Sequence, residues 1–307
     1  MASAETTSRK ESKMLKKLTD GKKALAFYVI TLALMLAITL SPGASTEVAM
    51  LTPLVAVLLM MFVVTRDGYT REGLKSLGLH RLGLRAWPVA ILGALLVLGI
   101  AYGVVWATGL AEFSVPEALA DQGARLGMPL WLWVPIATIV GPLFTLGLVL
   151  SLGEELGWRG YLLPRLESLG AWAAVLLTGF LHAVFHLPVI FLTTLYHPGA
   201  NKLVLVPLFV LSVTLVGMFL GYLRLSTGSV WPAVLGHSAH NSIWAAFSAL
   251  SAGSTPLATE YLAGESGVLV IVGYAALGGW LMYALTRKKG GAPEALPTSP
   301  KAATEGA

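Results

Sequence analysis

The sequence predicts an all-α, polytopic transmembrane helical bundle of about eight spans. Three observations carry that expectation. Hydrophobic residues make up 56% of the 307-residue chain and charged residues only 12%, against roughly 25% charged in an ordinary globular domain. The charged residues divide the chain into eight long uncharged runs, 24–46, 48–65, 86–111, 126–153, 168–201, 203–223, 225–259 and 266–286. Each reaches the length, roughly 20 apolar residues, that a helix needs to cross the hydrocarbon. The third observation is the distribution of basic side chains: with eight spans, 19 of the 21 Lys and Arg residues fall on one side, leaving Arg125 and Lys202 on the other.

Each run must be helical, because a strand edge exposed to lipid would leave its backbone polar groups without partners. The basic split sets orientation by the positive-inside rule. It predicts a multi-pass protein of the cell (inner or plasma) membrane with both termini cytoplasmic. Residues 1–23 read as a basic cytoplasmic arm, and 24–289 as the membrane domain. Residues 290–307, rich in Gly, Ala, Pro, Thr and Glu without apolar periodicity, read as a disordered cytoplasmic tail. The first run is too long for a signal-peptide core and is followed by further spans, so it reads as a retained helix. The net charge of +5 is accounted for by these topogenic positions, and no nucleic-acid partner is expected. The chain has no cysteine, which excludes disulfides, thiolate metal sites and a cysteine nucleophile.

Ionisable groups in or beside spans are costly and therefore point to function. Three clusters stand out. The fourth run ends in Gly153-Glu154-Glu155-Leu156-Gly157-Trp158-Arg159-Gly160, the fifth holds His182 and His186, and the seventh holds His237, His240 and Asn241. Glu154 and Glu155 are about 100° apart on a helix, so they serve different purposes. Arg159 lies four residues after Glu155, where an ion pair forms, leaving Glu154 to face a cavity. His182 and His186 share a face at i, i+4, as do His237 and Asn241. Taken alone, the Glu-Glu-Arg cluster reads equally well as an interfacial salt bridge, and a lone His or Asn as a hydrogen bond between helices. Three clusters at matching depth favour one shared cavity, expected to open to the cytoplasm. Gly217 and Gly221 form a small-xxx-small pair that predicts close helix packing.

At these residues the sequence resembles the CAAX-prenyl-protease and bacteriocin-processing (CPBP, or Abi) family of intramembrane peptidases. Glu154-Glu155-x-x-x-Arg159 matches its Glu-Glu-x-x-x-Arg motif. His186, followed by Leu187-Pro188, matches the histidine of its Phe-x-x-x-His motif, and His237-x-x-x-Asn241 matches its His-x-x-x-Asn motif. The resemblance covers about residues 130–250. It departs at one position, where His182 stands in place of the aromatic residue four before His186.

The resemblance implies an intramembrane endopeptidase, a hydrolase acting on a membrane-associated protein or peptide at the bilayer. Amide hydrolysis needs an activated water, a stabilised oxyanion and a proton for the leaving amine. Glu154 is then the general base and His186 the group that holds the water. His237 and Asn241 donate to the oxyanion, and Glu155, Arg159 and His182 support the site. No cofactor is required by this scheme. Glu154, His186 and His237 also suffice as a three-ligand zinc set with an open position, although no His-Glu-x-x-His signature is present. Two other function classes compete: a non-catalytic membrane immunity or scaffold partner, and a transporter. The transporter reading predicts repeated halves, and the sequence shows none.

Overall fold

The computed structural model describes residues 18–255 and 257–290. Most of the basic arm and the tail from Gly291 onward, with the reading of that tail as disordered, lie outside the described residues. Eight long helical segments build the bundle: α1 (Asp20–Thr39), α2 (Thr46–Val64), α3 (Trp87–Ala107), α4 (Leu130–Leu169), α5 (Ala171–Leu192), α6 (Lys202–Thr227), α7 (Trp231–Ala249) and α8 (Val268–Gly290). The only paired strands among the described residues are Glu112–Phe113 and Ser251–Ala252, two residues each, antiparallel.

Seven of the helical segments are long and apolar enough to cross a membrane. The eighth, α7, has the length but carries His237, Ser238, His240, Asn241 and Ser242, which lower its hydropathy. It is instead among the most enclosed helices, with twelve of its nineteen residues buried. It packs against α3, α4 and α6. Its polar residues are therefore held by protein, the arrangement expected of intramembrane polar groups.

Boundaries differ from the uncharged runs in an informative way. The run 168–201 yields a helix only to Leu192, and 225–259 one only from Trp231 to Ala249. Most of the remaining residues, 193–201, 228–230 and 250–255, are uncharged but rich in Gly, Pro, Ser and Thr, and form loops, while 225–227 end α6 and 257–259 open a π-helical turn. The larger correction concerns α4. The run 126–153 predicts a span ending at Glu154, whereas the helical segment continues to Leu169. Arg159 is fully buried within it and is not a loop charge, so it drops out of the topogenic count. Charge ends a span only where the charge must reach water, and here Glu155 neutralises Arg159 inside the protein. The backbone at this place is π-helical over Leu156–Leu162, a distortion common at functional sites.

Contacts between loops define two ends of the bundle. At one end Asp67 pairs with Lys23 and with Arg165, Val230 N–H donates to the Gly78 carbonyl, and Arg224 donates to the Ser76 carbonyl. At the other, the strand pair joins the α3–α4 loop to the α7–α8 loop. The Asn201 N–H there donates to Tyr261 Oη across the α5–α6 and α7–α8 loops. Helix packing between these ends uses glycine where backbones nearly touch. A Cβ on Gly217 of α6 would lie 2.7 Å from Gly179 Cα of α5 and 2.9 Å from Arg159 Nη2, and one on Gly221 would lie 2.7 Å from Val175. The small-xxx-small pair thus packs α6 on α5, as expected, and Gly217 also makes room for the buried guanidinium.

Candidate active site

Glu154 and Glu155 sit on the last α-helical turn of α4 before its π-helical stretch. Both are essentially inaccessible to solvent, as is Arg159. Arg159 Nη1 donates to Glu155 Oε1 at 2.7 Å, the i, i+4 pair that the sequence predicts. The same Nη1 faces His182 Nδ1 at 3.4 Å, and His182 Nε2–H donates to Glu154 Oε2 at 2.7 Å. With Arg159 donating to one ring nitrogen, the other must carry the proton. His182 therefore bridges the guanidinium and the carboxylate while its ring stacks on Trp158, centroids 4.9 Å apart.

The remaining histidines are fixed through Nδ1. His186 Nδ1–H donates to the His182 carbonyl at 3.0 Å, and His237 Nδ1–H donates to Glu155 Oε1 at 2.9 Å. Each bond aims the opposite nitrogen at Glu154: His186 Nε2 lies 3.9 Å from Oε1 and His237 Nε2 4.0 Å from Oε2. Oε1 itself has no hydrogen-bond partner among the described residues. Two imidazole nitrogens and the Glu154 carboxylate thus converge on the same small volume.

A cavity of about 300 Å³ reaches this volume, and its lining includes Glu154, His182, His186, His237 and Asn241. Asn241 stands one helical turn beyond His237, as the i, i+4 spacing predicts, and the structure places it on the cavity wall. All seven residues singled out in the sequence therefore gather at one place. The lining continues from Glu154 to Thr46, Leu195, Tyr196 and Glu265, residues of the end that holds the strand pair. No residue of the 65–86 or 228–230 loops lines it. With α4 continuing to Leu169, the side of the basic loops is filled by Trp158, Tyr161, Leu162 and Leu163.

Four site-adjacent residues escaped the sequence reading. Tyr196 and His197 follow α5, and Glu260 and Glu265 precede α8. His197 Nδ1–H donates to Glu260 Oε2 at 2.7 Å, its Nε2 lies 3.4 Å from Glu265 Oε2, and Tyr196 Oη donates to Glu265. Tyr196 also stacks over His186, centroids 6.1 Å apart. Burial alone would lower the pKa of His197, but the bonds to Glu260 and Glu265 outweigh it and raise the value from 6.5 to about 9. Burial alone would raise that of Glu265, yet the His197 hydrogen bond and charge bring it from 4.5 to about 2. The signal available was that Glu260 and Glu265 are the only charges between the last two uncharged runs.

Residues 127–243 match the family described as type II CAAX prenyl endopeptidase, Rce1-like. This is the CAAX-protease family that the motifs resemble. The match spans α4, α5, α6 and most of α7, the helices that carry every residue of the Glu154 site. The family implies a hydrolase, a protease of the membrane, and with the seven apolar helices it indicates a multi-pass membrane protein with a membrane-associated substrate. No curated protein matches the chain.

Glu154, His182 and His186 present ligand atoms within 4.8 Å of one another. His182 already spends its Nε2–H on Glu154, and His237 does not belong to this group.

Proposed function

We propose that this chain is an intramembrane endopeptidase in which Glu154 activates the water that attacks a peptide carbonyl. The observation that carries the proposal is the convergence of the Glu154 carboxylate, His186 Nε2 and His237 Nε2 at the head of a cavity. Glu154 Oε1 is free to accept the water proton, while Oε2 is held by His182. His186 Nε2 accepts the second hydrogen of the water and so orients its lone pair. Asn241 donates to the carbonyl oxygen as it becomes an oxyanion, a task a fixed side-chain amide performs without reorganisation. His237, carrying a proton on Nε2 as well as on Nδ1, joins it as donor, since Glu155 beneath stabilises that charge. The proton held by Glu154 passes to the leaving amine, so the base is regenerated.

Arg159 balances Glu155 and leaves the negative charge of Glu154 to be shared with the histidines. A zinc ion held by Glu154, His186 and His237 would supply Lewis acidity and a metal-bound water at the same place. The test uses purified protein in detergent, apolar peptides as substrate and water enriched in heavy oxygen. The glutamate route predicts new carboxyl termini carrying the label, at a rate unchanged after exhaustive zinc chelation. Loss of activity that added zinc restores would make the three residues ligands, and absence of any labelled product would overturn the peptidase reading.

A further inference from the structure

We propose that His240 and Glu265 form a second polar subsite, which binds the backbone of an extended substrate peptide beside the Glu154 centre; this rests on the peptidase reading above. His240 donates from Nε2 to a substrate carbonyl, and Glu265 accepts a substrate N–H. Neither residue belongs to the three motifs or to the group that activates water.

His240 supplies the first observation. It lies on α7 three residues beyond His237, about 4.5 Å along the axis at 1.5 Å per residue, and stands on the wall of the same cavity. Its side chain is buried, and its Nδ1 lies 2.9 Å from Tyr274 Oη. That contact is the one hydrogen bond of the buried Tyr274 phenol among the described residues. Were the imidazole the donor, the phenol proton would be left buried without an acceptor, which is costly. Tyr274 Oη–H therefore donates to Nδ1, and the ring proton sits on Nε2. Nε2 itself has no partner among the described residues. A buried N–H without an acceptor is rare in a folded protein, and one on a cavity wall is satisfied by what the cavity binds.

Glu265 supplies the second observation, from the loop before α8. Its Oε2 accepts from Tyr196 Oη and lies 3.4 Å from His197 Nε2, while its backbone carbonyl accepts from Ser212 Oγ of α6. The side-chain contacts all engage Oε2, which leaves Oε1 without a partner among the described residues. Glu265 lines the same cavity as His240.

One donor and one acceptor on an otherwise apolar wall complement a peptide backbone, whose residues carry one of each. A cationic ligand group would satisfy Glu265 and leave the His240 donor unpaired. An anionic group would be repelled by the Glu265 carboxylate, and no Lys or Arg lines the cavity to offset that. Backbone contacts hold a peptide whatever its side chains and fix its scissile carbonyl relative to Glu154. Side-chain selection then falls to the apolar wall, which includes Met35, Val213, Val216 and Trp244.

The experiment measures binding without requiring catalysis, so its outcome is separate from that of the peptidase reading. The full chain carries Glu154→Gln, which keeps bound peptide intact, and is purified in detergent. The probe is tritium-labelled acetyl-Leu-Val-Ala-Leu methylamide. Analogues replace one peptide unit at a time, either by a thioamide, which weakens the carbonyl as acceptor, or by an ester, which removes the N–H. One thioamide and one ester are expected to weaken binding about tenfold, the loss of a single hydrogen bond. His240→Phe combined with Tyr274→Phe removes the donor and its buried partner together while keeping the rings. In that variant the parent peptide should bind about tenfold more weakly, and the thioamide penalty should vanish while the ester penalty persists. Glu265→Gln should do the converse, shrinking the ester penalty and leaving the thioamide one. His240→Gln, which keeps a side-chain N–H donor, should restore part of the thioamide penalty. Penalties unchanged in these variants would overturn the proposal, as would analogues that bind no differently from the parent. Absence of saturable binding by the parent peptide would overturn it too, while the heavy-oxygen assay still decides the peptidase reading. Should the Phe pair fail to fold, Glu265→Gln, at a loop position, decides through the ester penalty.

Discussion

The two ends of the bundle are built from opposite materials. At the closed end, aromatic rings interlock, Phe27 against Trp158 and Tyr161 at 5.9 and 5.1 Å between centroids, and the buried Arg165 and half-buried Arg224 bond to backbone carbonyls. At the open end, loops rich in uncharged small residues meet through the short strand pair and a polar cluster in which His197 faces Glu260 and Glu265. The Glu154 site lies where the two regimes meet. Its rigidity comes from the closed side, through Arg159, His182 and Trp158, and its access from the open side. A site arranged this way can hold fixed donors for a reaction while substrate exchanges through segments that are less densely tied.

Substituting His182 should have the largest effect on that division. Sequence alone suggests that His182→Phe keeps most activity, since an aromatic ring is usual there in the family it resembles. The structure alters that expectation. The imidazole donates to Glu154 and accepts from Arg159, and a phenyl ring does neither. A lost hydrogen bond to a charged group costs about 1.5–3 kcal/mol, so turnover at equal folding should fall about 10- to 100-fold. Full activity would show that Phe at 182 leaves Glu154 adequately held by its other neighbours and would detach His182 from the site's rigid half.

A smaller effect is expected at the open end. The pKa of His197 is raised from 6.5 to about 9, so its contribution to stability is complete below 6.5 and is lost as pH rises through 9. That of Glu265 is lowered from 4.5 to about 2, so its contribution is complete above 4.5 and lost as pH falls through 2. Thermal unfolding in detergent should therefore shift to lower temperature between about pH 6.5 and about pH 9, and His197→Gln should remove that slope. A slope unchanged by the substitution would show that the loop tie contributes nothing to holding the open end.

The fold class and the helix order were legible because apolar length and charge punctuation are one-dimensional signals. The same signals misplaced the end of α4. Glu154, Glu155 and Arg159 look like a boundary in the sequence, and only three-dimensional pairing reveals that they are interior. The seven candidate residues gathered as helical spacing predicts, because i, i+4 faces are fixed by the backbone alone. What spacing could not supply was which nitrogen of each ring faces Glu154. Nor could it bring Tyr196 and His197 near Glu260 and Glu265, more than sixty residues away along the chain.

The central claim is that Glu154 performs chemistry and Glu155 holds structure, although both are buried and adjacent. Turnover and melting temperature of Glu154→Gln and Glu155→Gln, measured on the same detergent preparations, separate the two directly. Gln keeps the shape of each side chain and removes its charge and its capacity to take a proton. Glu154→Gln should lose at least about 100-fold in turnover, the low end for a general base, with its melting temperature little changed. Glu155→Gln should retain measurable turnover while losing about 3 kcal/mol of stability, as expected when a buried ion pair is broken from one side. Near-normal turnover in a folded Glu154→Gln variant would contradict the account.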